Sequence, residues 1–338
     1  MPNPDRSLFP LNTVNQLKQA VGLIIFVLPT NLIRRVLGKL ATSTIIPRLS
    51  RASLKKLLMG QQSIFLLDIQ YAAMDAYFHR PNRPSINVWW SRDGTANFGD
   101  LLTPYILSEM YDINPVFSKE KEHLFIGSIA RLAKTHSVIF GSGIIRKNEY
   151  INPNATYLAV RGPITRQRII ESGGQCPTIY GDPAILLKKC FSKKQNNLGV
   201  FVIPHFLHFG RKSIIDVDHR IIDIRTPSVD DMEQLIDLIC NADCIVTSSL
   251  HVFILCTVFE TPVTVFGIKG VSIHGDDIKF QDYCEGARIP KIAINYIEKL
   301  TNERANSLIA TAKVFSVPDK VIFNLDTELR WLINHEAS

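Results

Sequence analysis

The chain has six cysteines in 338 residues, yet no CxxC pair, and no histidine stands at zinc-finger spacing from any of them. Cys176, Cys190, Cys240, Cys244, Cys256 and Cys284 fall mostly within apolar runs. That predicts reduced core thiols in a cytosolic protein, not a disulfide framework or a zinc site. Long apolar runs are missing too: the longest, Val21 to Pro29, has nine residues, and fifteen uncharged residues separate Lys18 from Arg34. A membrane-spanning helix needs about 20. A signal peptide also fits poorly, because Arg34 and Arg35 follow the run and no small-residue cleavage site does. There is no GK[ST] phosphate loop, no six-residue dinucleotide fingerprint, no internal repeat and no low-complexity tract.

Acidic residues are nearly absent from the first sixty positions. Asp5 stands there against nine Lys/Arg, so this stretch carries +8 of a net charge of +7 and the rest of the chain sums to −1. The basicity belongs to an extension, and a nucleic-acid partner is not expected of the body. Within the extension, Leu32, Ile33, Val36, Leu37 and Leu40 fall on one helical face, with Arg34, Arg35 and Lys39 elsewhere around the helix. Leu54, Leu57 and Leu58 with Lys55 and Lys56 repeat the pattern. Such helices either lie on an anionic membrane surface or pack on the body or another subunit. The whole chain has 46% hydrophobic and 20% charged residues, an ordinary globular composition, and its 338 residues are enough for two domains or one large one.

From Pro81 short β-rich runs alternate with helical stretches. Strands are predicted at Ile86 to Trp90, Leu124 to Ile129, Val138 to Phe140 and Thr156 to Val160, with helices at Leu101 to Tyr111 and Pro163 to Ser172. A second series begins near Leu198, with strands at Leu198 to Ile203, Ile221 to Ile224, Cys244 to Thr247 and Pro262 to Phe266. Its helices run from a Ser228 cap to Asn241 and from His251 to Phe259. The expected architecture is α/β: a basic helical extension over 1–80, a Rossmann-like domain over 81–190 and a second over 191–338 with C-terminal helices. The linker is placed at Lys188 to Asn197, and a cleft is expected between the two doubly wound domains.

Five segments stand where strands end. Asn97-Phe98-Gly99-Asp100 opens a helix, where Gly99 permits close approach and Asn97 and Asp100 either contact a ligand or cap the helix. Gly141-Ser142-Gly143 follows a strand and either admits a ligand or makes a turn. Arg161, in Val160-Arg161-Gly162-Pro163-Ile164-Thr165, is placed to project into the crevice and grip a carboxylate or phosphate, with a structural salt bridge as the alternative. Asp182, before Pro183, is held toward extended geometry. His251, in Ser248-Ser249-Leu250-His251, sits at a helix start whose dipole lowers its proton affinity, as suits an acid/base. His274, Asp276 and Asp277 read as solvated turn residues, so no metal is expected.

Together NFGD at 97–100, GSG at 141–143, VRGPIT at 160–165, GDPA at 181–184, SSLH at 248–251 and KFQDY at 279–283 resemble, in order and spacing, the polysaccharide pyruvyl transferase family. The resemblance spans about residues 86 to 285 and rests on the ordered set. It implies a fold like that of GT-B glycosyltransferases and transfer of the enolpyruvyl group of phosphoenolpyruvate to a hexose of a surface polysaccharide or its lipid-linked precursor. No cofactor is implied beyond that co-substrate. It further implies His251 as general acid, Arg161 and Ser249 at the donor, and Asn97, Asp100, Gly141, Ser142 and Asp182 as positioning groups. Many members have SxRLH where Leu250 stands here, and Val252 replaces a usual glycine; Lys279 or Arg288 is expected to supply the missing cation. The implied location is cytoplasmic or peripheral on the inner face of the plasma membrane. The other readings are a nucleotide-sugar glycosyltransferase and a catalytically degenerate glycan-binding protein.

Overall fold

A computed structural model describes residues 71–72, 74–93, 96–194, 198–226, 228–271, 273 and 275–337. The chain divides into two compact units, Met1–Tyr77 and Phe78–Ser338. Of the first, residues 71–72 and 74–77 are helical; the expected basic helices around Asn31 to Leu40 and Leu54 to Leu58 lie outside the described residues. Among the described residues no helix is long and apolar enough to cross a membrane.

The second unit holds two five-stranded parallel sheets. The first uses β1 (Ser85–Trp89), β2 (Asn114–Phe117), β3 (His123–Leu124), β4 (Val138–Phe140) and β5 (Thr156–Ala159), in the order β2-β1-β3-β4-β5. The second uses β6 (Val200–Ile203), β8 (Arg220–Ile221), β9 (Cys244–Thr247), β10 (Val263–Ile268) and β11 (Asn295–Ile297), in the order β11-β10-β9-β6-β8. A separate pair joins β7 (Ile215–Asp216) to β12 (Leu300–Thr301). Central strands such as Cys244–Thr247 and Val263–Ile268 are buried at every position. That is the signature of a parallel sheet covered on both faces, and it gives a Rossmann-like α/β fold.

Both sheets have the same plan. In each, the first strand lies between the second and the third, so the winding reverses between β1 and β3 and again between β6 and β9. Ligands of open α/β sheets bind at such reversals, beyond the carboxyl ends of the strands. After β1 comes α1 (Phe98–Tyr111), and after β9 comes α4 (Leu250–Phe259). Between them lie α2 (Pro163–Glu171) and α3 (Val229–Asn241), and α5 (Ile278–Gly286), α6 (Asn302–Ile309) and α7 (Asp319–Glu336) complete the chain. Backbone bonds Phe98 N to Ile224 O (3.0 Å) and Thr226 N to Ala96 O (2.9 Å) tie the loop after β1 to the loop after β8. The C-terminal α7 packs back against β5 and the 3-10 turn Pro183–Lys189, with Lys188 Nζ bonded to Asp319 Oδ1 at 3.1 Å.

Several elements fall where expected: β4 and β9 match residue for residue, and Ser228 caps α3 by accepting a bond from Asp231 N. The strand expected at Leu124 to Ile129 pairs only over His123–Leu124. Phe125 and Ile126 stay buried, but the chain leaves the sheet to form the Gly127-Ser128 loop that serves the site.

Candidate active site

The two winding reversals meet. His251, in the first turn of α4, lays its imidazole on the backbone of Gly99, in the first turn of α1. A Cβ at position 99 would overlap Nδ1 and come within 2.6 Å of Cγ and Cε1. Gly99 is therefore required by close approach, as its motif suggested. On the other side of the ring, Nε2 faces Asp182 Oδ2 at 3.8 Å. Both atoms are buried and neither has a hydrogen-bond partner. Asp182 Oδ1 accepts from Ala184 N at 3.0 Å, capping the 3-10 turn.

Burial, modified by neighbouring charge, sets the protonation of this cluster. Burial, then the cations Lys279 and Arg161, push the His251 pKa down to about 3, so its imidazole is neutral near pH 7. The helix dipole invoked from the sequence is not needed. Burial raises Asp182 to about 6, against a backbone bond from Ala184 and the charge of Arg161, both of which lower it. Asp100 rises to about 7, mainly through burial and against a bond from Asn97. That bond runs from Asn97 Nδ2 to Asp100 Oδ2 at 3.0 Å. The two polar groups of NFGD thus hold each other, and neither side chain caps α1. Lys279, in the first turn of α5, is 7% exposed. Burial and the charge of Arg161 lower its pKa to about 8, and Asp277 opposes them.

Arg161 does not project into a crevice. Its side chain is fully buried and its guanidinium is engaged on all sides. Nε donates to Asp282 Oδ2 at 3.1 Å, Nη2 lies 3.0 Å from the same oxygen and donates to Ile144 O at 2.6 Å, and Nη1 donates to Ser128 Oγ at 2.7 Å. Asp282 also accepts from Thr165 N (2.9 Å) and Thr165 Oγ1 (2.6 Å). The reason is packing. Gly143 lies against the guanidinium, with Cζ only 2.4 Å and Nη2 2.6 Å from where its Cβ would be, so the second glycine of GSG accommodates Arg161. The salt bridge given as the alternative for this residue is present, and its side chain does not project into an open crevice.

Gly141 and Ser142 are likewise taken up by internal packing. Gly141 has φ +81 and packs on Pro183. Ser142 is fully buried, with Oγ donating to Gly127 O at 2.8 Å and accepting from Ile129 N at 3.3 Å. Ser249 caps α4 by position, is 3% exposed, and takes no side-chain cap bond. Arg288 is exposed at φ +56 beyond α5 and is not among the charges acting on His251. Leu250 is buried, and its aliphatic side chain offers the site no polar group. Sequence reasoning gave no role to Asp282, Thr165 or Ser128; the first two stood inside the quoted motifs, and nothing local marked Ser128. A cavity of about 240 Å³ opens beyond β9 and β10, lined in part by His208, Ser248, Asp277, Phe280 and Tyr296. Among the described residues no three His, Cys, Asp or Glu gather as metal ligands, and His274 lies outside those residues.

Residues 68–270 match a family model described as polysaccharide pyruvyl transferase. An uncharacterized protein of Acanthamoeba polyphaga mimivirus is 31% identical over 188 residues, 53% of this chain and 62% of that protein. The chain therefore spans less than two thirds of that relative's length. No solved structure matches significantly. The family match ends at residue 270, short of Lys279 and Asp282, which join the cluster through the contacts and charges described above.

Proposed function

Because the chain belongs to the polysaccharide pyruvyl transferase family, we propose that it moves the enolpyruvyl group of phosphoenolpyruvate onto two hydroxyls of a hexose, in a surface polysaccharide or its lipid-linked precursor, as a pyruvate ketal. One observation supports this most: the six motif segments, scattered over 187 positions from Asn97 to Tyr283, form one contiguous cluster. Gly99 meets His251, His251 faces Asp182, Gly141 meets Pro183, Gly143 meets Arg161, and Arg161 pairs with Asp282.

Proton transfer to the methylene carbon of the donor generates a cationic C2, which one sugar hydroxyl attacks with loss of its proton. The second hydroxyl then displaces phosphate and closes the ketal. His251 supplies the first proton. In the free protein it is neutral, because burial first, and then Lys279 and Arg161, oppose its charging. A phosphate ester carrying two or more negative charges offsets both cations, raises the imidazole pKa and lets it arrive at the reaction protonated. A positioned acid of this kind contributes about 10² to 10⁴ in rate.

The anion itself is held by Lys279, a buried cation whose charge acts on His251, and by backbone N–H groups opening α4. Asn97 and Asp100, across the ring of His251, orient the sugar hydroxyls. On this reading the two Rossmann-like sheets are arranged as in GT-B enzymes, and the acceptor enters from the cavity beyond β9 and β10. The +8 charge of residues 1–60 supports a lipid-linked acceptor met at an anionic membrane surface.

The test is incubation with phosphoenolpyruvate and a panel of glycans. The expected products are inorganic phosphate and a glycan heavier by one pyruvate less one water. Nucleotide release from a sugar nucleotide, with no reaction of phosphoenolpyruvate, assigns the chain to glycosyl transfer instead. Binding without turnover across the panel makes it a glycan-binding protein.

A further inference from the structure

Two adjacent buried polar atoms, each without a hydrogen-bond partner, are rare in a folded protein because each costs about 1–3 kcal/mol of uncompensated desolvation. Here they are Asp182 Oδ2 and His251 Nε2, 3.8 Å apart. From the juxtaposition of these two atoms we infer that Asp182 is a positioning residue: its Oδ2 accepts the Nε2 proton of His251, fixing the tautomer in which Nδ1, over Gly99, is the nitrogen that exchanges a proton with substrate. The inference rests on the reading of His251 as the proton-transfer group and names the nitrogen that performs it.

Three features favour that orientation. First, Nε2 is sealed, so the 13% exposure of the imidazole belongs to its other atoms. Nδ1 lies on the Gly99 side, and Gly99 stands in the chain between Asn97 and Asp100, which bond to each other. Second, the carboxylate is rigidly aimed. Asp182 is an N-cap with ψ 130, its Oδ1 is spent on Ala184 N, and Pro183 packs against Gly141. Only Oδ2 remains, and it points at the ring. Third, catalytic hydrogen bonds in unliganded proteins are often long and shorten when the site fills.

The charges around the pair agree with this assignment. Arg161 and Lys279 act on the imidazole, Arg161 also acts on Asp182, and Tyr283, fully buried nearby, feels the Asp182 charge. Two cations beside the ring disfavour a second imidazole proton in the free protein. The single proton that remains is held best where a carboxylate accepts it. When Nδ1 takes a proton in the donor complex, Asp182 stabilises the imidazolium without itself being protonated. When Nδ1 gives that proton to the methylene carbon, the ring returns to the Nε2–H form, so charge and protons balance over the step.

The tautomer can be read directly, in the full chain and without substrate, by long-range proton–nitrogen correlation NMR on protein labelled at histidine. The expected result for wild type is an His251 signal of the Nε2–H form. In Asp182→Asn, which keeps the Ala184 cap through its own carbonyl oxygen, that signal shifts toward Nδ1–H or a mixture, and kcat falls about 10²-fold or more with KM for phosphoenolpyruvate little changed. An Nδ1–H signal in wild type, which needs no variant to be measured, overturns the pairing. So does an unchanged tautomer in Asp182→Asn. An Nε2–H signal together with wild-type turnover by His251→Gln overturns the catalytic reading of His251 itself, which separates failure of that reading from failure of the pair.

Discussion

Replacing Arg161 is the sharpest test of the burial argument, because the two readings of this residue predict opposite signatures. Its guanidinium makes two close approaches to Asp282 Oδ2, at 3.0 and 3.1 Å, and satisfies Ile144 O and Ser128 Oγ. Both members of the pair have zero side-chain exposure. Arg161→Met removes the cation and leaves the Asp282 carboxylate buried with only the Thr165 donors. Breaking one side of a buried pair costs about 3–5 kcal/mol. Leaving Ile144 O without its donor adds about 1–3 kcal/mol. Against a typical total stability of about 5–15 kcal/mol, the variant should be mostly unfolded or barely folded at 37 °C. Arg161→Lys keeps the charge but loses the fork, and forfeits at least one charged hydrogen bond, about 1.5–3 kcal/mol. Urea denaturation followed by circular dichroism reads both as lowered midpoints. Lys279→Met is the matched comparison for donor binding: KM for phosphoenolpyruvate should climb, because the cation proposed to hold the donor is removed. If Arg161→Lys denatures at the wild-type midpoint and instead weakens donor binding many-fold, the buried-strut account is refuted and Arg161 contacts the donor.

Three further outcomes follow from the geometry. Gly99→Ala places a methyl where Nδ1 of His251 lies, so the ring must move; stability should fall by about 1–3 kcal/mol and kcat about 10²-fold, and a fully active Gly99→Ala would mean that the imidazole does not react from this position. For Lys279, lowered to about 8, kcat/KM should fall as pH rises through about 8 because the clamp loses its charge, and Lys279→Arg should move that limb upward; a flat profile to pH 9.5 in wild type counts against Lys279 as the clamp. For His251, lowered from 6.5 to about 3, the unfolded chain binds the proton between those values, so stability contributed by the neutral ring is present above about pH 6.5 and is lost on acidification, by about 1.4 kcal/mol per pH unit at most. Asp182, raised to about 6, works the other way, binding its proton in the folded state and gaining stability as pH falls from about 6 toward 3.8. Subtracting the stability–pH curve of His251→Gln from that of wild type isolates the imidazole, and a difference that stays flat from pH 7 to pH 4 contradicts its burial.

How much of this was legible in the chain itself depends on how local each determinant is. Val138–Phe140 and Cys244–Thr247 are short, wholly apolar and bounded by turn residues, and they read correctly because a strand buried on both faces needs nothing else. Ser228 with Asp231 read correctly because a cap is a contact over three residues. By contrast β2 contains Pro115 and lies at a sheet edge, where a missing donor is tolerated, so its sequence argued against a strand that the tertiary fold nevertheless pairs with β1. Phe125 and Ile126 carried the apolar pattern of strand residues, but burial and pairing are separate properties, and only the first was encoded locally. Arg161 was placed correctly at the end of β5. What its side chain does was not legible, since its partner Asp282 lies 121 positions away.

The burial of Arg161 does not remove it from the chemistry. A charge held within reach of His251, Asp182 and Lys279 lowers the pKa of all three, and because its hydrogen bonds are committed to Asp282, Ile144 and Ser128 it cannot swing toward a ligand and dissipate that field. Preorganised charge of this sort acts without reorganisation when a reaction begins. It also makes the site conditional. Buried and flanked by two cations, the imidazole stays neutral and is a poor acid; an anion of sufficient charge, seated beside Lys279, cancels the field of the cations and favours protonation. Under the proposed reaction this couples donor binding to acid strength, so a neutral sugar entering first meets an unprotonated ring. The coupling predicts an order: proton uptake by the protein should accompany binding of phosphoenolpyruvate, measurable as a buffer-dependent binding enthalpy, and should vanish in His251→Gln. Binding with the same enthalpy in buffers of different ionisation heat would place the proton on the substrate or nowhere, and would leave Arg161 as a purely structural strut.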